Sequence, residues 1–180
     1  MANPARTRQN FTTRRIALTG FMGVGKTSVS RHLARMLGCE RLDLDALIEV
    51  NEQRRVAEII DAEGIDGYRS IETENLKKAL ARTAARILSL GGGAWTVEEN
   101  RRLIHEAEVM SVWLDASFNH CWNNIRLSRK ERPLARDKTA AERLFDERQA
   151  IYCLADWHFV VRPDQTSFDV ASQIAEEVFS

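Results

Sequence analysis

The clearest candidate for chemistry is the segment 20–27, which matches the spacing G-x-x-x-x-G-K-[ST] directly after the apolar residues 16–18. This spacing is typical of a loop that cradles phosphate between a strand and a helix. Glycines let backbone N–H groups turn toward a phosphate, Lys26 adds a positive charge, and the Thr27 hydroxyl can serve Mg²⁺. We therefore expect six residues to bind nucleotide phosphates: Gly23, Val24, Gly25, Lys26, Thr27 and Ser28.

Two carboxylates, Asp43 and Asp45, lie one predicted helix after the loop, at the end of a short predicted strand, 41–44. If the backbone is extended there, both side chains point to one side. One could then help to hold Mg²⁺ while the other reaches a substrate hydroxyl. The alternative is a cap for the next helix plus a solvated carboxylate. The neighbouring phosphate loop favours the chemical interpretation.

A triple glycine and two arginines could bind an anionic substrate. Residues 91–93 would expose successive N–H groups to an anion or a hydroxyl, although a flexible turn is the alternative. Arg69 and Arg148 could form bidentate pairs with a carboxylate. Arginines at helical positions are usually solvated, so these residues taken singly leave both interpretations open.

The charged, strand-free stretch 129–138 contains Arg132-Pro133-Leu134 and is flanked by predicted helices. Such a segment can fold over ATP as a mobile lid and place a guanidinium on the transferred phosphoryl group. A plain charged loop is the alternative, and the phosphate loop favours the lid.

The elements that must position these residues alternate between strand and helix. Strands are predicted at 15–19, 41–44, 86–90, 109–114 and 157–161, and helices at 26–37, 46–62, 66–82, 98–106, 117–129, 139–152 and 167–179, with a break at Gly64. This alternation predicts an α/β fold with three layers, α/β/α, around a five-stranded parallel sheet. Ligands of such sheets bind outside the carboxyl ends of the strands, so the features above should converge on one cleft.

Length and composition limit the class of protein. The 180 residues suffice for one domain, expected at 15–180 after a disordered tail at 1–14. Three cysteines without C-x-x-C spacing favour neither disulfides nor zinc and fit a reducing cytoplasm.

No apolar run is long enough to cross a membrane, so no membrane partner is expected. Seven basic residues precede Glu40, the first acidic residue, which could suggest nucleic acid, but the acidic remainder of the chain argues against such a partner.

Together these motifs resemble the shikimate kinase family, from the phosphate loop almost to the C-terminus. Beyond the loop, five motifs occur in the family's order. They are D-x-D with I-E three residues on (43–49), aromatic-R-x-x-E (68–72), the glycine triplet (90–93), R-P-L (132–134), and R-x-x-x-Y followed by A-D (148–152 and 155–156). One such motif would be weak, whereas five in order are specific.

The resemblance implies a P-loop kinase fold like that of nucleoside monophosphate kinases. It places a substrate-binding helical segment at about 45–82 and the lid at about 127–138. Lys26 and Thr27 would hold the phosphates and Mg²⁺, and Asp43 would support the water shell of the metal. Asp45 would contact the shikimate hydroxyls and act as base or orienting group for the one that is phosphorylated.

The resemblance also implies how the remaining residues act. Arg69 and Arg148, with the glycines Gly91, Gly92 and Gly93, would grip the shikimate carboxylate, and Arg132 would reach ATP as a third catalytic residue beside Lys26 and Asp45. The implied activity is transfer of the ATP γ-phosphoryl group to the 3-hydroxyl of shikimate, in aromatic amino-acid biosynthesis, by a cytoplasmic monomer. Two alternatives are a gluconate kinase-like or other small-metabolite P-loop kinase and a non-catalytic nucleotide-binding regulator.

The chain departs from the family's pattern near the acceptor. The family usually has Gly-Glu ahead of the aromatic-Arg pair, whereas this chain has 64–67 as Gly-Ile-Asp-Gly. Ile60 is aliphatic where an aromatic residue is expected, and Tyr68 stands where Phe is commoner. The segment before the lid is about one residue short, so the arginine beside adenine could be Arg126 or another.

Overall fold

The structure, a computed structural model, describes residues 14–129 and 133–180. The predicted tail therefore lies almost wholly outside the described residues, as does Arg132. Five parallel strands form one sheet in the order β2-β3-β1-β4-β5. Their bounds are Ile16–Thr19 (β1), Glu40–Asp43 (β2), Ala85–Ser89 (β3), Met110–Asp115 (β4) and Trp157–Val160 (β5). The predicted α/β class with a five-stranded parallel sheet is confirmed.

Seven α-helices lie within the described residues. They are Lys26–Leu37 (α1), Leu44–Glu52 (α2), Val56–Ala81 (α3), Glu98–Glu106 (α4), Phe118–Leu127 (α5), Lys138–Tyr152 (α6) and Ser167–Phe179 (α7). Short 3₁₀ helices cover Ala94–Thr96 and Pro133–Ala135. In the part of the chain that the structure describes, no helix is long and apolar enough to cross a membrane.

Strand β1 lies at the centre of the sheet because its residues are apolar on both faces. Ile16, Ala17 and Leu18 are fully buried. A parallel sheet needs helices on both faces, and the direction of each crossover decides which face a helix covers. The chain moves from β1 outward to β2 and then returns toward β4 and β5, so right-handed crossovers put α1 on one face and α3 and α4 on the other.

The chain between β2 and β3 contains one break more than expected. The predicted helix 46–62 is two helices, because Gln53 adopts a left-handed conformation with φ of +53° and ends α2. Arg55 then starts α3, and Glu58 accepts a hydrogen bond from the Arg55 backbone N–H. Glutamine is not a usual residue at a helix end and arginine is not a usual N-cap, so the sequence did not predict the break at Gln53 and Arg55. The predicted break at Gly64 is present within α3, with φ of +73°.

The strand register brings the candidate residues to one edge of the sheet. Thr19, the last residue of β1, pairs with Trp113 of β4. Asp43, the last residue of β2, pairs with Ser89 at the end of β3. The phosphate loop, the two carboxylates and the triple glycine therefore begin at the same carboxyl edge, where a parallel sheet binds ligands.

Candidate active site

The segment 20–27 forms a tight loop between β1 and α1. Gly20, Gly23 and Gly25 have φ of +132°, +84° and +105°, which side chains rarely tolerate. Gly25 is the N-cap of α1 and supplies no capping side chain. The first backbone N–H groups of α1 therefore need a hydrogen-bond acceptor from elsewhere, and a bound phosphate can provide one.

Lys26 is buried and folds back across its own loop. Its Nζ donates to the carbonyl oxygens of Gly20, at 2.6 Å, and Phe21, at 3.0 Å. The ammonium therefore lies at the mouth of the loop, within reach of any anion that enters. A bound phosphate would compete with these carbonyls for the same donor.

Asp43 caps helix α2 and also contacts the phosphate loop. Its Oδ1 accepts from the Ala46 N–H at 3.3 Å, and its Oδ2 accepts from Thr27 Oγ1 at 2.9 Å. The expected extended backbone through Asp45 is wrong, since α2 begins at Leu44. The cap and the chemical interpretation are compatible here, because the two carboxylate oxygens have different partners.

A cavity of about 450 Å³ opens above the loop. It is lined by the loop residues, Asp43, Asp45, the first turn of α1 and residues 89–92, and on its other side by α5, the segment after β5 and the start of α7. The wall residues are His120, Asn124, Ser128, Val161, Gln165, Ser167 and Val170. Arg126 is exposed on α5 and does not line this cavity, so the structure does not support it as the arginine beside adenine.

The triple glycine makes room for charged side chains. A β-carbon on Gly91 would lie 2.7 Å from Asp45 Oδ1, and one on Gly93 would overlap the Arg69 guanidinium. None of the three glycines has a positive φ. The turn is closed by a hydrogen bond from Ala94 N to Gly91 O at 3.1 Å. Close approach of neighbouring side chains therefore explains this motif better than flexibility does.

A buried ion pair positions Arg69. Glu72 is fully buried and accepts from Arg69 Nη1 at 2.5 Å and from the Tyr68 hydroxyl at 3.2 Å. Burial raises the pKa of the Glu72 carboxyl, while the neighbouring Arg69 charge lowers it. Burial also raises the pKa of Tyr68, so its hydroxyl keeps the proton that it donates. Sequence reasoning assigned no role to Glu72, although its i,i+3 spacing from Arg69 was a usable signal.

Arg148 reaches the same turn from helix α6. Its Nη1 donates to Gly92 O at 3.0 Å, and Tyr152 donates its hydroxyl to the same carbonyl. Burial raises the pKa of Tyr152 to about 12, which keeps this hydroxyl a donor. Arg148 is only 6% exposed, so it is not the solvated arginine that the alternative interpretation described.

These side chains surround a second, smaller cavity of about 80 Å³. It is lined by Met22, Asp45, Val56, Ile60, Tyr68, Arg69, Glu72, Gly91, Gly92, Gly93, Pro133, Leu134 and Arg148. Met22, Asp45, Gly91 and Gly92 line both cavities, so the two adjoin at Asp45. A group bound in the small cavity would lie directly beside the phosphate end of the large one.

The structure brings together every predicted substrate-binding residue that it describes. Arg132 lies outside the described residues, although Pro133 and Leu134 beside it line the small cavity. Asp156 lies elsewhere, where its carboxylate accepts from the backbone and hydroxyl of Ser111 at 2.8 and 2.7 Å. The A-D part of the last motif therefore links β5 to β4 and has a structural role.

Comparison with known proteins gives a consistent result. The shikimate kinase family model matches residues 22–179. A shikimate kinase of Ruegeria pomeroyi is 39% identical over 157 residues, covering 86% of this chain and 78% of its own length. One of Geobacter metallireducens is 37% identical over 166 residues, covering 91% and 89%. The structure of shikimate kinase from Acinetobacter baumannii in complex with shikimate superposes with a TM-score of 0.82 at 32% identity, covering 94% of this chain and 95% of that chain.

The fold and the relatives together identify an ATP-dependent kinase of the phosphate-loop type. Its small second cavity, with two buried or half-buried arginines, suits a small anionic acceptor. The chain belongs to the shikimate kinase family.

Proposed function

We propose that this chain transfers the γ-phosphoryl group of ATP to the 3-hydroxyl of shikimate, in the pathway to the aromatic amino acids. The supporting observation is the position of Asp45, which lines both the phosphate cavity and the small cavity that contains Arg69 and Arg148. A carboxylate-bearing acceptor held by the two arginines would present its hydroxyls toward Asp45. Gluconate also carries a carboxylate, so what favours shikimate over the gluconate kinase-like alternative is the match to the shikimate kinase family.

On the acceptor side, Arg69 and Arg148 bind the shikimate carboxylate from two helices. Both guanidiniums are already oriented, Arg69 by Glu72 and Arg148 by the Gly92 carbonyl, so binding orders few side chains. The N–H groups of the glycine turn add further donors. Asp45 then orients the 3-hydroxyl and accepts its proton, a role that typically contributes about 10²- to 10⁴-fold in rate.

On the nucleotide side, the loop N–H groups and Lys26 bind the phosphates. A hydroxyl and a carboxylate 2.9 Å apart, from Thr27 and Asp43, form a hard oxygen donor set that fits Mg²⁺ with its waters. When bound, Mg²⁺ would neutralise phosphate charge. Arg132 is proposed to reach ATP when the lid closes, by analogy with arginine fingers worth about 10³- to 10⁵-fold.

The decisive experiment measures ADP release from ATP and Mg²⁺ with shikimate, gluconate and nucleoside monophosphates as separate acceptors. We expect stimulation by shikimate alone, with the phosphate on the 3-hydroxyl by ³¹P NMR. Stimulation only by another acceptor would overturn the proposal. Asp45→Asn should lower kcat by about 10²- to 10⁴-fold. Asp146→Asn, at an exposed aspartate on α6, is the matched control and should retain kcat.

We also propose that the protein acts as a monomer in the cytoplasm. The three cysteines, Cys39, Cys121 and Cys153, are free, which fits a reducing compartment. Light scattering coupled to size-exclusion chromatography tests the monomer, and a dimeric mass would contradict it.

A further inference from the structure

Helix α5 packs directly on the phosphate loop at Gly23. A β-carbon at Gly23 would overlap the carbonyl oxygen of Cys121 and would lie 3.0 Å from Ile125 Cγ1. Beside this contact, Asn124 Nδ2 donates to Gly23 O at 2.8 Å. The peptide group of Gly23 is therefore held between the backbone of α5 and one amide side chain. None of these α5 residues was singled out by the sequence motifs.

The orientation of the Asn124 amide is determined by its two neighbours. A carbonyl oxygen can only accept, so the amide must direct its NH₂ group toward Gly23. The same Nδ2 lies 3.1 Å from Nε2 of His120, one turn earlier on α5. With an unprotonated Nε2, the two hydrogens of the amide have one acceptor each. An aspartate of the same shape could not donate to the Gly23 carbonyl, although it could accept from His120 Nε2 in the other tautomer.

We propose that Asn124 is a positioning residue of the phosphate loop. By holding the Gly23 carbonyl toward α5, it maintains the loop conformation that includes φ of +84° at Gly23 and +105° at Gly25. Asn124 thereby acts on the phosphates through the loop. The inference rests on the proposed function only in requiring that the loop binds nucleotide phosphates. Since Asn124 also lines the large cavity, the competing explanation is direct contact with the nucleoside.

Calorimetric titrations with ADP and with inorganic tripolyphosphate, both with Mg²⁺, separate these explanations because tripolyphosphate has no nucleoside. We expect Asn124→Ala to weaken both ligands about fivefold, the effect of one lost hydrogen bond. Asn124→Asp should weaken both by at least as much, because the carboxylate cannot donate to the Gly23 carbonyl and adds negative charge to the wall of the phosphate cavity. Asn123→Ala and Asn123→Asp, at the exposed neighbouring position, make the same changes in side chain and charge and should stay within about twofold of the wild type.

The inference is overturned if the Asn124 variants weaken ADP but leave tripolyphosphate unchanged, since the contact would then be with the nucleoside. It is equally overturned if Asn124→Asp binds both ligands as tightly as the wild type, because shape alone would then explain the residue. Near-ultraviolet circular dichroism of each variant checks that it is folded. Wild-type binding of both ligands without phosphorylation of shikimate would refute the proposed function and leave this inference standing. Wild type that binds neither ligand refutes both.

Discussion

The phosphate loop and the acceptor pocket adjoin each other but are built in opposite ways. The loop consists of the consecutive residues 20–27, and its shape depends on backbone conformations that glycine allows. The pocket collects residues that are far apart in the chain, from α2, α3, the glycine turn, the 3₁₀ helix Pro133–Ala135 and α6, with Met22 of the loop at its border. Its positively charged donors are fixed by buried hydrogen bonds, above all those of Glu72 and of the Gly92 carbonyl.

Because of this difference, the two halves should tolerate different substitutions. The loop should be sensitive to an added β-carbon, because its peptide groups contact one another and α5. The pocket should be sensitive to the geometry and charge of its guanidiniums. Substitutions of one half should therefore leave ligand binding to the other half largely intact.

The largest expected effect is in the loop. Gly23→Ala forces a side chain onto a φ of +84° and onto the Cys121 carbonyl. We expect kcat/KM for ATP to fall by at least about 100-fold, corresponding to roughly 3 kcal/mol. Gly38→Ala is the control, since Gly38 also has a positive φ, +58°, but lies at the end of α1 with no atom near the added carbon. An equal loss in both variants would mean that backbone strain alone, not the contact with α5, explains the effect.

The second effect is in the pocket. Arg148→Lys keeps the charge but loses the planar fork, so we expect KM for shikimate to rise about 10- to 100-fold. Steady-state kinetics measure it, and KM for ATP should not change. Arg143→Lys, at an exposed position on the same helix, should behave as wild type. An unchanged KM for shikimate would remove Arg148 from the acceptor site.

A smaller effect is expected at the glycine turn. In Gly93→Ala the added carbon displaces the end of the Arg69 side chain, which is flexible and can move. We expect shikimate to bind about five- to tenfold more weakly, while ADP binds as in the wild type. Fluorescence or calorimetric titrations provide both constants. A weakened ADP affinity would show that the two halves are coupled more tightly than their construction indicates.

The smallest effect concerns pH. Burial raises the pKa of Glu72 in the folded protein above its unfolded value of about 4.5. At pH values between the unfolded and the folded pKa, the folded state therefore holds a proton that the unfolded state has lost. The free energy of unfolding should therefore fall as pH rises through this window, by up to about 1.4 kcal/mol per pH unit. Glu72→Gln removes this dependence. Urea denaturation of both proteins at several pH values measures it, and parallel pH profiles would contradict it.

Several features could be predicted from the sequence because their signals are local. The spacing of Gly20, Gly25 and Lys26 predicted the loop, and the alternation of strands and helices predicted the parallel sheet. Other features have no local signal. The break at Gln53 depends on a left-handed residue of an unusual type, and the burial of Glu72 depends on how α3 packs on the glycine turn.

Asp43 and the triple glycine show the same limit from another side. The sequence left open whether Asp43 caps a helix or serves the phosphate loop, and the structure shows that it does both with different oxygens. The glycines were interpreted through their N–H groups, whereas the structure shows the side chains of Asp45 and Arg69 close to where a β-carbon would lie. The roles of Lys26, Asp45 and Arg132 in catalysis stay predictions.

The sequence by itself determined the class of fold and the phosphate-binding half of the site, because backbone conformation and strand periodicity follow from residues close together in the chain. Only the tertiary structure decided the acceptor half. Its cavity exists because the turn after β3 is narrow enough for Arg69 and Arg148, from two distant helices, to approach it together. The same holds for the support of Gly23 by Asn124, since residues so far apart in the chain meet only when α5 packs on the loop.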